Sequence, residues 1–305
     1  MSVSFYINNK KTFFKSKTPM TVKECLGFSS QKIEQFAFDE TQNNFDLEKF
    51  YNSSVADYEC LLCGVYGESS RGFELSFAKE FNQYVVRVFT PSTNEDWQIA
   101  LTYIKDLARK LGSDIVSERG EHFTVEDIDQ FNYTEDILFG IKSYFENKDT
   151  DEYISFGIFR EVAINHTIVE GFLNSENPIE AFSKFFKDIQ YLDAFSANQM
   201  FFEDNATKKI IGLYTLTQEV ETILPYKPSV EYRNINIVKD DISSWKLSLV
   251  IINGDPDDEE SYQGAGDIEY QDFIARLSKD KYRFIDAKYI LVDALTQEEI
   301  LSILK

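Results

Sequence analysis

Cys60-Leu61-Leu62-Cys63 is the only paired-cysteine spacing in this 305-residue chain, so thiol or zinc chemistry would have to begin there. A redox pair needs an electropositive helix N-terminus to lower a thiol pKa, and a zinc site needs four ligands. The pair lies instead in an apolar, strand-like run, and the third cysteine, Cys25, stands alone. Residues three apart on a strand face opposite sides, so buried structural cysteines are expected. Gly67-Glu68-Ser69-Ser70-Arg71-Gly72 approaches the G-x-S-x-G nucleophile elbow, but its second glycine comes one residue late and it joins two predicted strands. A hairpin turn is the expectation. A Ser-His-Asp or Cys-His arrangement would have to use His122 or His166, the only histidines, and neither has local support.

Two further motifs lie near the C-terminus. Gly264-Ala265-Gly266 has the order of a dinucleotide fingerprint, following a predicted strand and preceding a predicted helix, but Glu269 stands where the third glycine belongs. The preceding loop carries Asp255, Asp257, Asp258, Glu259 and Glu260, which would repel a pyrophosphate where bare backbone donors are needed. Read as a calcium loop, the same stretch places Glu260 at the obligatory glycine and Gly266 at the bidentate glutamate, so the signature fails at two essential points. No cofactor and no metal are expected. These five carboxylates with Tyr262 beside them remain the candidate contact for a cationic partner.

The elements that would position such groups follow from periodicity. Tyr58–Tyr66, Gly72–Phe77 and Tyr84–Phe89 read as an antiparallel meander. Trp97, Ala100, Leu101, Ile104, Leu107, Ala108 and Leu111 recur at intervals of three and four and define one helix face, with Trp97 predicted to be buried. Thr93 suits the N-cap, acids lie in the first turn, Arg109 and Lys110 in the last, and Gly112 supplies the left-handed stop. Asn177-Pro178-Ile179-Glu180 and Thr296-Gln297-Glu298-Glu299 open two more helices. Residues 2–7 read as an edge strand, Tyr153–Phe159 and Val162–Val169 as strands, Met200–Phe202 with Ile210–Leu216 as a hairpin, and Arg283–Val292 as one strand. The fold class is α+β, with antiparallel meanders packed by amphipathic helices. The charged stretch 146–152 reads as a linker between lobes 1–147 and 152–305, which share a coarse strand and helix order at 84–131 and 246–304 and are possible duplicates.

Composition bounds the function. With 52 Asp and Glu against 31 Lys and Arg, the formal charge of −21 repels nucleic-acid backbones and anionic lipid surfaces. No run approaches the roughly 18 apolar residues of a membrane span. An odd number of cysteines in a long chain, and an N-terminus too short and polar for a signal-peptide core, predict a cytoplasmic protein.

The run from Arg71-Gly72-Phe73-Glu74-Leu75-Ser76 through Arg87-Val88-Phe89-Thr90-Pro91-Ser92-Thr93 and Asp96-Trp97 to Glu118-Arg119-Gly120, with Asp286-Ala287-Lys288-Tyr289, resembles a family of uncharacterised proteins from low-GC Gram-positive bacteria. That resemblance implies a bacterial, cytoplasmic protein and transfers no catalytic or binding residue. The functional expectation is a non-enzymatic, regulatory or interaction module for a basic protein partner. The alternative is a hydrolase with carboxylates converging in a cleft between lobes, and carboxylates spaced as a nucleic-acid mimic come third.

Overall fold

A computed structural model describes residues 1–12, 15–16, 18–42, 44–146, 151–203, 205, 208–231, 234 and 242–305. The chain divides into two units, Met1–Tyr191 and Leu192–Lys305.

The first unit is built on a fully antiparallel sheet of seven strands: β1 (Ser2–Asn8), β4 (Glu34–Gln35), β5 (Leu61–Gly64), β6 (Phe73–Ala78), β7 (Gln83–Phe89), β8 (Ile115–Ser117) and β9 (His122–Phe123), while β2 (Lys11–Thr12) and β3 (Lys15–Ser16) form a separate two-residue ladder. Their order is β4-β5-β6-β7-β1-β8-β9. The expected meander is β5-β6-β7. Alternation selects one face for the core: Val3, Phe5 and Ile7 of β1 and Tyr84, Val86 and Val88 of β7 are buried, while the residues between them are at least partly open except Ser4, which is also buried. The N-terminal strand, expected at an edge, pairs on both sides, Phe5 opposite Val86 of β7 and Ser117 of β8. Its alternating pattern is shared by half-buried strands at any position in a sheet.

Helices α1 (Val22–Gly27), α2 (Leu47–Asn52), α3 (Asn94–Leu111), α4 (Tyr133–Glu146), α5 (His166–Leu173) and α6 (Pro178–Gln190) complete the unit, with a short hairpin of β10 (Tyr153–Phe156) and β11 (Glu161–Ile164). Helix α3 lies on β1 and β7 with Trp97, Ala100, Tyr103, Ile104 and Leu107 inward. Its ends are as the sequence reads. The Thr93 side chain accepts from the Asp96 N–H, and Gly112 takes the left-handed conformation at φ 60°, where a Cβ would be strained. Asn177 caps α6 with Pro178 at its first position.

The domain boundary falls at 191/192, not in the stretch 146–152, of which 147–150 lie outside the described residues. Val162, Ile164, Val169, Phe172, Phe182 and Phe186 belong to the same hydrophobic core as Trp97 and Phe5, so the chain after the acidic stretch is still completing the first unit. The run 162–169 is also not one strand, because Asn165 caps α5 by accepting from the Ile168 N–H.

Among the described residues the second unit contains two four-stranded sheets. One has the order β12-β15-β19-β18, formed by β12 (Phe195–Ser196), β15 (Thr222–Pro225), β18 (Tyr282–Phe284) and β19 (Tyr289–Val292). The other has the order β13-β14-β16-β17, formed by β13 (Met200–Glu203), β14 (Ile210–Thr217), β16 (Ile242–Ile252) and β17 (Tyr262–Glu269). Helices α7 (Tyr270–Arg276) and α8 (Gln297–Leu304) pack on β16 and β17 around Leu247, Leu249, Phe273 and Ile300. The expected β13–β14 hairpin is present, and Thr296 and Glu299 form the capping box of α8.

The run 283–292 splits into two antiparallel strands, turned at Asp286, whose buried carboxylate accepts from the Lys288 and Tyr289 N–H groups at 2.8 and 2.6 Å. Parallel pairing of β14 with β16 and of β12 with β15 separates this topology from the all-antiparallel sheet of the first unit.

Candidate functional site

The sequence motifs take ordinary structural places. Cys63 is fully buried in β5 and Cys60 partly so just before it; burial pushes both thiols up, further for Cys63. Gly264-Ala265-Gly266 is no loop before a helix but part of β17, paired with β16. A register shift at Leu249/Val250 and a φ of 150° at Gly266 mark a bulge, which is why the strand tolerates two glycines. Asp255, Asp257, Asp258, Glu259 and Glu260 lie exposed on the loop before it, where the Asp255 and Asp258 carboxylates accept from the backbone N–H groups of Asp257 and Glu260. Tyr262 opens β17, 44% exposed, and donates to the Pro256 carbonyl at 2.9 Å. Among the described residues no three His, Cys, Asp or Glu side chains converge as a metal-binding set.

The Gly67–Gly72 segment does join β5 to β6, but it is far more than a turn. Asp96, one of the acids at the α3 N-terminus, is completely buried inside it. One carboxylate oxygen accepts from the Ser70 and Gly72 N–H groups at 3.1 and 2.8 Å, and the other from the Arg71 N–H at 2.8 Å and the Thr93 hydroxyl at 2.6 Å. Burial pushes Asp96 above the ordinary carboxylate range, a rise these donors oppose without cancelling. Gly72 sits at φ 66° with its Cβ direction 2.4 Å from the Cys63 carbonyl, a place only glycine can fill. The Arg71 guanidinium donates to the carbonyls of Phe156, at 3.0 Å, and Pro91, and stacks on the Phe89 and Phe186 rings at 4.9 and 5.6 Å. Tyr191 closes the segment, accepting from the Gly67 N–H and donating to the Ser69 carbonyl.

Both serines are therefore held inside a structural clasp. Among the described residues neither histidine is bonded to it: His122 is exposed in β9, and His166 opens α5 against the Phe145 ring.

A second buried carboxylate lies nearby. Asp136 of α4 accepts from the Thr90 hydroxyl with both oxygens, at 2.8 and 3.0 Å. Burial pushes it up to about 6 from its ordinary 3.8, with Glu118 adding to the rise and Thr90, Arg119 and the N-terminal amine opposing it. The folded state thus binds this proton more tightly than the unfolded chain. Its contribution to stability is complete below about pH 4 and lost as pH rises to about 6. Asp136→Asn keeps the acceptor for Thr90 and removes the titration. Thermal melts should show the variant gaining on the parent between pH 4 and 7, by up to about 3 kcal/mol. A constant difference across that range would exclude Asp136 as the titrating group.

The accessible concave surface with the most distinctive chemistry is a groove of about 580 Å³ in the first unit. Glu34, Asp39 and Glu40 line it with the Phe36, Phe38, Tyr51 and Phe159 rings, and no Lys or Arg is among its lining residues. Strand β4 at the sheet edge supplies Glu34, and the turn between β10 and β11 supplies Phe159. Gln35 orders the 35–40 segment: its amide oxygen accepts from the Ala37 and Phe38 N–H groups, and its amide nitrogen donates to Glu40 at 2.6 Å. Tyr51 donates to the same carboxylate at 2.7 Å, and burial followed by that carboxylate pushes its hydroxyl up to about 12. Asp39 is held below the usual carboxylate range by the Thr41 hydroxyl and N–H and stays ionised. Lys32, itself exposed, pairs with Glu34.

The whole chain matches one family model. A domain of unknown function, DUF4299, covers residues 2–303. The chain belongs to the DUF4299 family. No curated protein and no solved structure matches it. Membership in DUF4299 fixes no activity, so what this DUF4299 chain does has to be argued from its own surfaces. Among its described residues no helix is long and apolar enough to cross a membrane.

The groove was not singled out from the sequence. Residues 34–40 and 158–159 come together through tertiary contacts, among them the Ile158 N–H donating to the Ser70 carbonyl of the clasp at 2.9 Å and the Phe36 ring packing on Phe159 at 5.6 Å. The one local signal was the density of rings and acids in Phe36-Ala37-Phe38-Asp39-Glu40.

Proposed function

We propose that this chain is a non-enzymatic interaction module that receives a basic segment of a partner protein. The observation that carries this reading is the groove of three carboxylates and four rings on a chain of formal charge −21, where Glu34 is paired with Lys32 and Asp39 and Glu40 have no ion pair among the described residues. Carboxylates at a rim attract and orient a cationic partner at long range, and the rings supply apolar contact once it has docked. The groove's polar framework is already satisfied within the chain, so binding needs little reordering of it. The acidic loop at 255–260, with Tyr262, is a second negatively charged surface of the same character, placed on the other unit.

A short lysine- and arginine-rich peptide and its glutamate counterpart, titrated against the full chain at low and high salt, test the reading. The basic peptide should bind and weaken with salt, and the acidic one should not bind. Combining Glu34→Gln with Asp39→Asn should lower affinity about fivefold to tenfold, because two carboxylate charges are removed and the Lys32 ammonium loses its ion-pair partner Glu34 beside the groove. Affinity indifferent both to salt and to this double substitution would sink the proposal.

A further inference from the structure

We infer that the groove selects arginine over lysine, with the guanidinium stacking on Phe159 while its N–H fork meets the carboxylates of the groove; this rests on the reading of the groove as a site for a basic segment. Phe159 is 47% exposed and Tyr66, beside it, 64% exposed, large areas for rings that the fold holds rigidly. Phe159 is gripped by Phe36 at 5.6 Å, Tyr66 at 6.0 Å and Tyr191 at 5.6 Å, each near perpendicular. Tyr191 is itself fixed by its two bonds to the clasp segment.

The backbone beneath is equally constrained. The Gln190 side chain at the end of α6 accepts from the Phe159 and Arg160 N–H groups at 2.9 and 3.1 Å and donates to the Arg160 carbonyl at 2.9 Å. Gly157 lies so close to Gln190 that a Cβ there would fall 2.2 Å from its amide carbon. A side-chain amide from another element and a glycine made obligatory by it are thus used to hold an aromatic ring at the surface, where it gives up burial. The same bonds also secure the turn and its buried Ile158 to the unit, and they leave the Phe159 ring pre-positioned at the surface, as a binding site needs its anchor to be.

The chemistry of the ligand follows from what surrounds the ring. Phe159 shares its groove with Glu34, Asp39 and Glu40. A guanidinium is planar, weakly hydrated and able to stack on a ring while directing a fork of donors at carboxylates; an ammonium is a compact, strongly hydrated point charge that gains less from a ring in water. Carboxylates draw both cations at long range, and the fixed ring adds the face on which a guanidinium gains most.

Two peptides identical except for arginine in place of lysine, titrated against the parent chain and against Phe159→Leu, test this. The arginine peptide should bind the parent about fivefold or more tightly. Phe159→Leu should bring the two affinities together while leaving the lysine peptide nearly unaffected, since leucine retains apolar contact without the ring face. Near-ultraviolet circular dichroism and a thermal melt establish that the variant is folded. Equal affinities in the parent, or a preference that survives Phe159→Leu, would overturn the selection of arginine and leave the basic-partner reading intact. Failure of both peptides to bind would remove both.

Discussion

Asp96→Ala should destabilise the first unit by about 3–5 kcal/mol, and Asp96→Asn by nearly as much. The carboxylate is completely buried and accepts from three consecutive backbone N–H groups, Ser70, Arg71 and Gly72, as well as from Thr93. Alanine leaves those donors in the interior with no acceptor. Asparagine restores one oxygen but turns an amide nitrogen, itself a donor, towards the others. Loss of the clasp also releases the surroundings of Arg71, which would remain buried between Phe89 and Phe186 with its nearby negative charge gone. Chemical denaturation of the parent and both variants measures the effect. A midpoint for Asp96→Asn within experimental error of the parent would mean that these donors find water instead, and that the clasp is not what holds the β5–β6 segment. Because the segment anchors the Phe159 turn through Ser70 and Ile158, Asp96→Ala should also weaken basic peptides when tested under conditions where the variant is still folded.

That clasp marks where sequence reading stopped. The α3 helix was legible because its determinants are local: Thr93, the first-turn acids, the seven-residue apolar stripe and Gly112 all lie in one short window. The same holds for Asn177-Pro178 at α6 and Thr296 with Glu299 at α8. Asp96 was legible as an acid favourable to a helix N-terminus, and it does occupy that place. Its larger role depends on a segment some 25 residues earlier, and nothing in the Gly67–Gly72 run announces which carboxylate its N–H groups will meet. Apolar runs also conceal breaks. Tyr153–Phe159 and Arg283–Val292 read as single strands, yet the first ends in the Gly157–Arg160 turn and the second turns at Asp286. His166 looked like a strand residue because β-branched neighbours surround it, and the Asn165 cap outweighed their preference. The groove was illegible for the same reason as the clasp: its two walls lie more than a hundred residues apart.

Trp97→Ala should cost about 3–5 kcal/mol, whereas Trp97→Phe should cost well under half of that. Trp97 is completely buried, packed face to face against Phe131 at 5.4 Å and Tyr133 at 5.8 Å and edge-on to Phe5 at 6.4 Å. It therefore joins α3 to β1 and to the start of α4, and deletion to alanine opens a cavity that three large rings border on. Fixed strands and helices cannot close such a space, so the cavity term adds to the lost transfer energy. The phenylalanine comparison separates packing from polarity. The Trp97 indole N–H finds no hydrogen-bond acceptor among the described residues, so removing it deletes a buried donor that contributes no bond, and only part of the ring volume is lost. Denaturation midpoints for the two variants give the answer. If Trp97→Phe were as damaging as Trp97→Ala, the indole N–H would be making a bond that matters, and the residue would owe its place to that bond as well as to its bulk. The expected ordering instead makes Trp97 the volume that sets the spacing of α3 from the sheet, and with it the depth at which Asp96, one residue earlier on the same turn, meets the clasp.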